Sequence, residues 1–355
     1  MMVSALCGII GNMTGKKERN LQIDGVRLLF ILAVVFYHYT RRFTEQYGVS
    51  TIDFPGLDKL GAVAVGGFFI LAGYFLMPRK TDGFRLRDYY LKRFIRLFPA
   101  YFLCITLIYI SVHIFGLPGR EVSFQDYLLN IPFLNGVVGK PYVDGAHWFM
   151  TYIIIFTILA GIITKLKIPA KVYLPVWLLM QITFKVVLVN VGSNFWLKQG
   201  YKMIGGDYVV YIVAGIALAQ IMKEGLSQKC KNMFGAIMLV ALGELIFIKS
   251  FIFALATLVV FVIIILAIFK KLAVLEKIKF LGKLGESSYI LYLIHQNIGY
   301  QIILALVGFF GPQYAIWYGL GAMLSMMGIS YVIHKLYEAP LQQKCLKLCL
   351  IGINK

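Results

Sequence analysis

The chain has 355 residues, of which 60% are hydrophobic and 14% charged. A soluble domain carries about 25% charged residues, so a water-soluble globule is excluded, and a chain this apolar is not disordered. The net charge of +19 would suggest nucleic acid in a soluble protein, but in a membrane protein it reports topology, and no nucleic-acid partner is expected.

A transmembrane helix needs about 20 mostly apolar residues. Ten such stretches occur in chain order, at 26–46, 57–78, 95–116, 147–165, 172–190, 203–222, 233–249, 251–269, 286–309 and 313–334. The expected fold is therefore an all-α integral membrane bundle. The segment 124–138 is short and broken by Pro132 and Gly136, and reads as re-entrant or interfacial. Residues 1–20 are expected to be a cytoplasmic segment, 21–340 one transmembrane domain and 341–355 a cytoplasmic tail. Nine of the 35 Lys and Arg residues, namely Arg41, Arg42, Lys59, Arg120, Lys140, Lys185, Lys198, Lys202 and Lys249, fall on one side or within spans. The other 26 fall on the side of the termini. This is the positive-inside asymmetry, and it predicts that both termini are cytoplasmic. The five cysteines form no CxxC pair, so neither a zinc site nor a disulfide framework is indicated.

Ionisable groups inside spans are costly and often functional. In the first span Arg27 and His38 are eleven residues apart, three turns plus about 20°, so they share a face. Arg27 reads as an anchor at the inner interface and His38 as reaching near mid-membrane, either as a packed core histidine or as a reactive one. Asp24, one turn before Arg27, can cap the helix or hold the guanidinium. Arg93 and Arg96 precede the third span on one helical face. Guanidinium pairs suit phosphates, although positive-inside anchoring also explains them. His147-Trp148 opens the fourth span at the outer interface, where aromatic-belt anchoring explains the tryptophan. Lys185 and Glu244 lie in the fifth and seventh spans. In the ninth, Ser288, Tyr292 and His295 form one stripe at i, i+4 and i+7, which is expected to face protein or a cavity rather than lipid. His113 and His334 read as span-end residues.

Six stretches of the chain together resemble the acyltransferase 3 family, bacterial multi-span transferases that acylate cell-surface carbohydrates. They are Ile23–Arg27 with His38, Gly66–Tyr74 (GGFFILAGY), Arg93–Pro99 (RFIRLFP), His147–Phe149, Ser288–His295 and Glu338–Pro340, in that order along the chain. Ala72 stands where many members have serine, and Met150-Thr151-Tyr152 where many O-acetylating members carry a glutamate. The resemblance implies an acyltransferase of the bacterial cell membrane, with acyl-CoA, by preference acetyl-CoA, as donor and a surface glycan or lipid-linked saccharide as acceptor. Membrane lipids surround it and no metal is implied. Arg93 and Arg96 would hold the CoA phosphates with help from Arg27. His38 would act as general base or transient acyl carrier, with Asp24 and Arg27 orienting the first helix. Ser288, Tyr292, His295 and Trp148 are candidates for lining the substrate site. The alternative class is a transporter or flippase of lipid-linked saccharides, which would predict inverted repeats. None is detectable.

Overall fold

A computed structural model describes residues 20–50, 56–78, 81–192, 194–223 and 225–345. Apart from Asn20 the expected N-terminal segment lies outside the described residues, as do Arg79 and the end of the expected C-terminal tail. Every described element is helical. Ten main helices succeed one another: α1 (Leu21–Tyr47), α2 (Leu57–Leu76), α3 (Leu86–Phe115), α4 (Trp148–Lys165), α5 (Ala170–Asn190), α6 (Val209–Ile221), α7 (Gln228–Ile248), α8 (Phe251–Ile268), α9 (Ser288–Phe310) and α10 (Ala315–Ile333). Among the described residues nine helices are long and apolar enough to cross a membrane. The expected span 233–249 is the helix α7, which packs between α6 and α8 but is not among those nine. The segment 124–138 forms two short helices, Phe124–Asn130 and Asn135–Val138.

The centre of the bundle is α6. Its sequence, VVYIVAGIALAQI, is apolar all round, and a helix of that kind buries all its faces. It packs most closely on α2. Gly73 and Gly215 make this possible: a Cβ on Gly73 would run into the carbonyl oxygen of Ile212, and one on Gly215 into that of Ile70. Backbone therefore meets backbone, the usual way for membrane helices to gain packing where water does not drive association. On the outside, Ile252, Leu255, Val259 and Val262 of α8 and Leu179, Val186 and Val189 of α5 are exposed, an apolar surface suited to lipid.

Two helices depart from regularity where the site is built. In α1 the turn His38–Arg42 is a π-helix, in which the N–H of Phe43 donates to the carbonyl of His38. The helix α3 is 30 residues long, about 45 Å, and outlasts a hydrocarbon core of about 30 Å, so its basic first turns extend beyond the apolar part. Inside it, Pro99 has no N–H to give. Next to it the carbonyl of Leu97 accepts from the Tyr289 hydroxyl at 2.9 Å and that of Arg96 from Gln342 at 2.9 Å.

Candidate active site

One cavity of about 1430 Å³ runs through the bundle. Along α1 its wall extends from Asn20 to Arg42, a rise of about 33 Å and so close to the thickness of a bilayer core. Arg27, Arg93 and Arg96 line one end, Arg42 and Arg120 the other, and His38 lies between them on the same wall.

The imidazole of His38 is half-buried, and its Nδ1 lies 2.8 Å from Nε2 of His295. The two rings are within 4° of parallel. His295 is fully buried, and its Nδ1 lies 2.9 Å from the carbonyl oxygen of Tyr292 and 3.2 Å from that of Leu291. Carbonyls only accept, so His295 Nδ1 carries the proton. In the neutral ring Nε2 is then the acceptor, and His38 must donate to it from Nδ1–H. That leaves the lone pair of His38 on Nε2, which has no hydrogen-bond partner among the described residues. The site thus holds one imidazole in the tautomer that a base or nucleophile needs.

The helix turn that carries His295 is held by the loop before α4. His147 Nε2 donates to the Leu293 carbonyl at 2.8 Å, and the Asp144 carboxylate accepts from the Asn297 N–H at 2.9 Å. These are the two partners of one α-helical rung. Asn297 donates from its side chain to Val143 at 2.8 Å, and the Tyr292 hydroxyl donates to the Ala146 carbonyl at 2.7 Å. Asp144 also accepts from the Ala146 N–H at 2.8 Å as the N-cap of the turn Gly145–His147. The Tyr39 hydroxyl donates to the carbonyl of His295 itself at 2.5 Å.

At the other expected positions Arg27 meets Asp24 at 3.3 Å and lies over the Phe75 ring at 5.5 Å. Arg93 donates to the carbonyls of Phe75 and Leu76 at 2.9 and 2.6 Å, satisfying the end of α2, and stacks on Tyr89. Arg96 is exposed on the cavity wall. The stripe on α9 divides: Ser288 and Tyr292 line the cavity, whereas His295 stands behind His38. Trp148 lines the cavity and stacks on Tyr208 with centroids 5.1 Å apart, so it is a wall of the site rather than a belt residue. Lys185 pairs with Asp207 at 2.7 Å. His334 contacts Glu338 at 2.7 Å and Glu286 at 3.7 Å and lines the cavity with them.

Asp144, Tyr39, Arg120 and Gln296 are not legible as site residues in the sequence. Only Asp144 carries a usable signal, an N-cap acid just before an apolar run. Among the described residues no group of three or more His, Cys, Asp or Glu side chains could hold a metal ion.

Each of the six stretches singled out in the sequence contributes to this one cavity: His38, Phe68, Arg96, Trp148, Tyr292 and Glu338 all line it. A family model described as "Acyltransferase domain" matches residues 20–335. Among curated proteins and among solved structures none matches the chain. The match takes in nearly the whole chain and all of α1–α10, and the chain therefore belongs to the acyltransferase 3 family of multi-span membrane acyltransferases.

Proposed function

We propose that the protein moves an acyl group, acetyl by preference, from cytoplasmic acyl-CoA to a hydroxyl of a surface or lipid-linked carbohydrate on the far side of the bacterial cell membrane. The observation that carries this reading is the cavity whose wall follows α1 from Asn20 to Arg42, with the unprotonated Nε2 of His38 on it. The charge asymmetry of the loops supports a cytoplasmic position for the termini and hence for Arg27, Arg93 and Arg96.

The nucleotide of acyl-CoA is polyanionic and stays at the inner end, where Arg96 and Arg27, with the free edge of Arg93, offer guanidinium forks to its phosphates. The acyl-pantetheine arm runs along the cavity toward His38. As a base, His38 Nε2 takes the proton of the acceptor hydroxyl while that oxygen attacks the thioester carbonyl. The C–S bond breaks, and the imidazolium returns the proton to the leaving CoA thiolate. As a nucleophile, Nε2 attacks first and CoA leaves as the thiolate; the acceptor oxygen then takes the acyl group from the ring, and the hydroxyl proton goes to that thiolate. The same tautomer serves both routes. His295 is a positioning residue: it fixes that tautomer, accepts from Nδ1–H, and favours the imidazolium or acyl-imidazolium that forms.

The test is incubation of the purified protein with acetyl-CoA and a panel of surface glycans, with released CoA thiol as the readout. Thiol release should depend on one class of glycan and fall to background in His38→Ala, while that variant keeps its thermal midpoint. Wild-type turnover in His38→Ala would sink the assignment.

A further inference from the structure

We infer that the outer end of the cavity is an oxyanion subsite, in which Arg120, assisted by Arg42, receives a phosphate or carboxylate carried by the acceptor near the hydroxyl that is acylated. The inference rests on the transfer reading above and names the acceptor's chemistry.

Arg120 comes after α3 in a tight turn closed by its own N–H on the Leu117 carbonyl at 3.0 Å. The turn brings a loop cation onto the cavity wall. The groups it touches directly are neutral. It donates to the Gln46 side-chain oxygen and stands over the Tyr300 ring at 5.6 Å. Among the described residues no carboxylate pairs with it. Three carboxylates of this half are held by other groups. Glu45 is shared by Arg41 and Arg42 at 3.0 and 3.2 Å. Asp207 takes Lys185 and the Tyr201 hydroxyl at 2.7 and 2.6 Å. Asp144 accepts two backbone N–H groups.

Polar capacity is left over at the same place. Arg120 Nε is a buried donor without a hydrogen-bond partner, and Gln296 Oε1, an acceptor likewise without one, suits a hydroxyl of the acyl acceptor rather than its anion. Gly145 lets both side chains come this close: a Cβ there would lie 2.6 Å from Arg120 Nη1 and 3.0 Å from Gln296 Oε1. A cation on the wall of a membrane cavity that no carboxylate touches directly gains from an anion that completes it. The planar guanidinium fork matches phosphate and carboxylate oxygens. Arg42 lies one turn beyond His38 on the same wall, so an anion held between the two arginines would be close to the reacting nitrogen.

Isothermal titration of the purified full chain with glucose, glucose 1-phosphate and glucuronate tests this, with CoA present at saturation to occupy the inner cations. At least one of the charged sugars should bind tenfold or more tighter than glucose, and the arm that does so identifies phosphate, carboxylate or both. Arg120→Gln should bring the charged sugars to the affinity of glucose. Arg120→Lys should keep part of the preference, because the charge remains without the fork. Arg42→Gln should lower the preference without abolishing it. Unchanged CoA affinity and thermal midpoint establish that each variant is folded. Equal affinity for all three sugars in the wild type overturns the subsite, as does a preference that survives Arg120→Gln. If the preference behaves as expected while no glycan releases CoA thiol, the transfer reading fails and the subsite stands.

Discussion

A neutral imidazole works as a base or nucleophile only through the nitrogen that lacks a proton, so the tautomer of His38 decides its chemistry. Two backbone carbonyls set it from a distance: they fix His295, and His295 fixes His38. Removing His295 therefore frees both tautomers and withdraws the acceptor that steadies the charged ring. We expect His295→Ala to lower kcat by roughly 10²-fold, the lower end of what a well-placed acid–base group contributes, with acetyl-CoA affinity unchanged. Nitrogen-15 NMR of histidine-labelled protein checks the cause. His38 should be protonated on Nδ1 in the wild type and mixed in His295→Ala, and an Nε2–H tautomer in the wild type would rule the relay out. The stripe Ser288–Tyr292–His295 is legible in the sequence because helical periodicity puts it on one face. That His295 touches His38 is not, because nothing local couples residues 257 positions apart. In the sequence Arg120 is only one of the nine outer or intramembrane cations, since its significance comes from Gln46, Tyr300 and Gly145, which belong to three other segments.

Among the elements, the α1 helix shows what the hydropathy pattern cannot convey. Its π turn at His38–Arg42 inserts one residue and so rotates the rest of the helix by about 100°. His38 and Arg42 can then both face the cavity while Tyr39, Phe43 and Tyr47 pack on Tyr300. No residue type announces such an insertion, whereas the ten apolar runs announce themselves by length. A second π turn, His334–Glu338, likewise sits where α10 meets the cavity. The glycines of the GGFFILAGY stretch now have a physical reason: Gly66 lies against the Tyr211 ring and Gly73 against the α6 backbone. The contact from the other side gives a sharp prediction. In Gly215→Ala the new methyl would meet the carbonyl of Ile70 and, at 2.9 Å, the N–H nitrogen of Tyr74, both backbone atoms that cannot rotate away. The helices α2 and α6 must separate, at a cost of about 1–3 kcal/mol. Gly235→Ala on α7 has nothing within 4 Å of the new methyl, and helix propensity alone should make it neutral or stabilising by up to about 1 kcal/mol. Thermal unfolding of the two purified variants should thus move in opposite directions or leave Gly235→Ala unchanged. An unshifted midpoint in Gly215→Ala would mean the α2–α6 contact is looser than described.

At the scale of the whole molecule, a small part of the positive charge lies on the cavity wall. The end of the wall with Arg27, Arg93 and Arg96 also has Asp24, Glu286 and Glu338, so its cations are partly balanced. A donor that stays at that end cannot reach His38 unless its acyl arm, rather than its charged head, travels the cavity, because moving phosphates through the apolar middle is prohibitive. The protein should therefore be one-sided toward acetyl-CoA, which does not cross bilayers. In inside-out membrane vesicles, which expose the cytoplasmic face, externally added acetyl-CoA labelled in its acetyl group should acylate the endogenous acceptor. In right-side-out vesicles the same addition should give no label until acetyl-CoA is loaded into the lumen. Equal labelling from outside in both preparations would mean that donor and acceptor enter from one side. The cavity would then serve as a shared vestibule, and the need for a path from Arg96 past His38 to Arg120 would disappear.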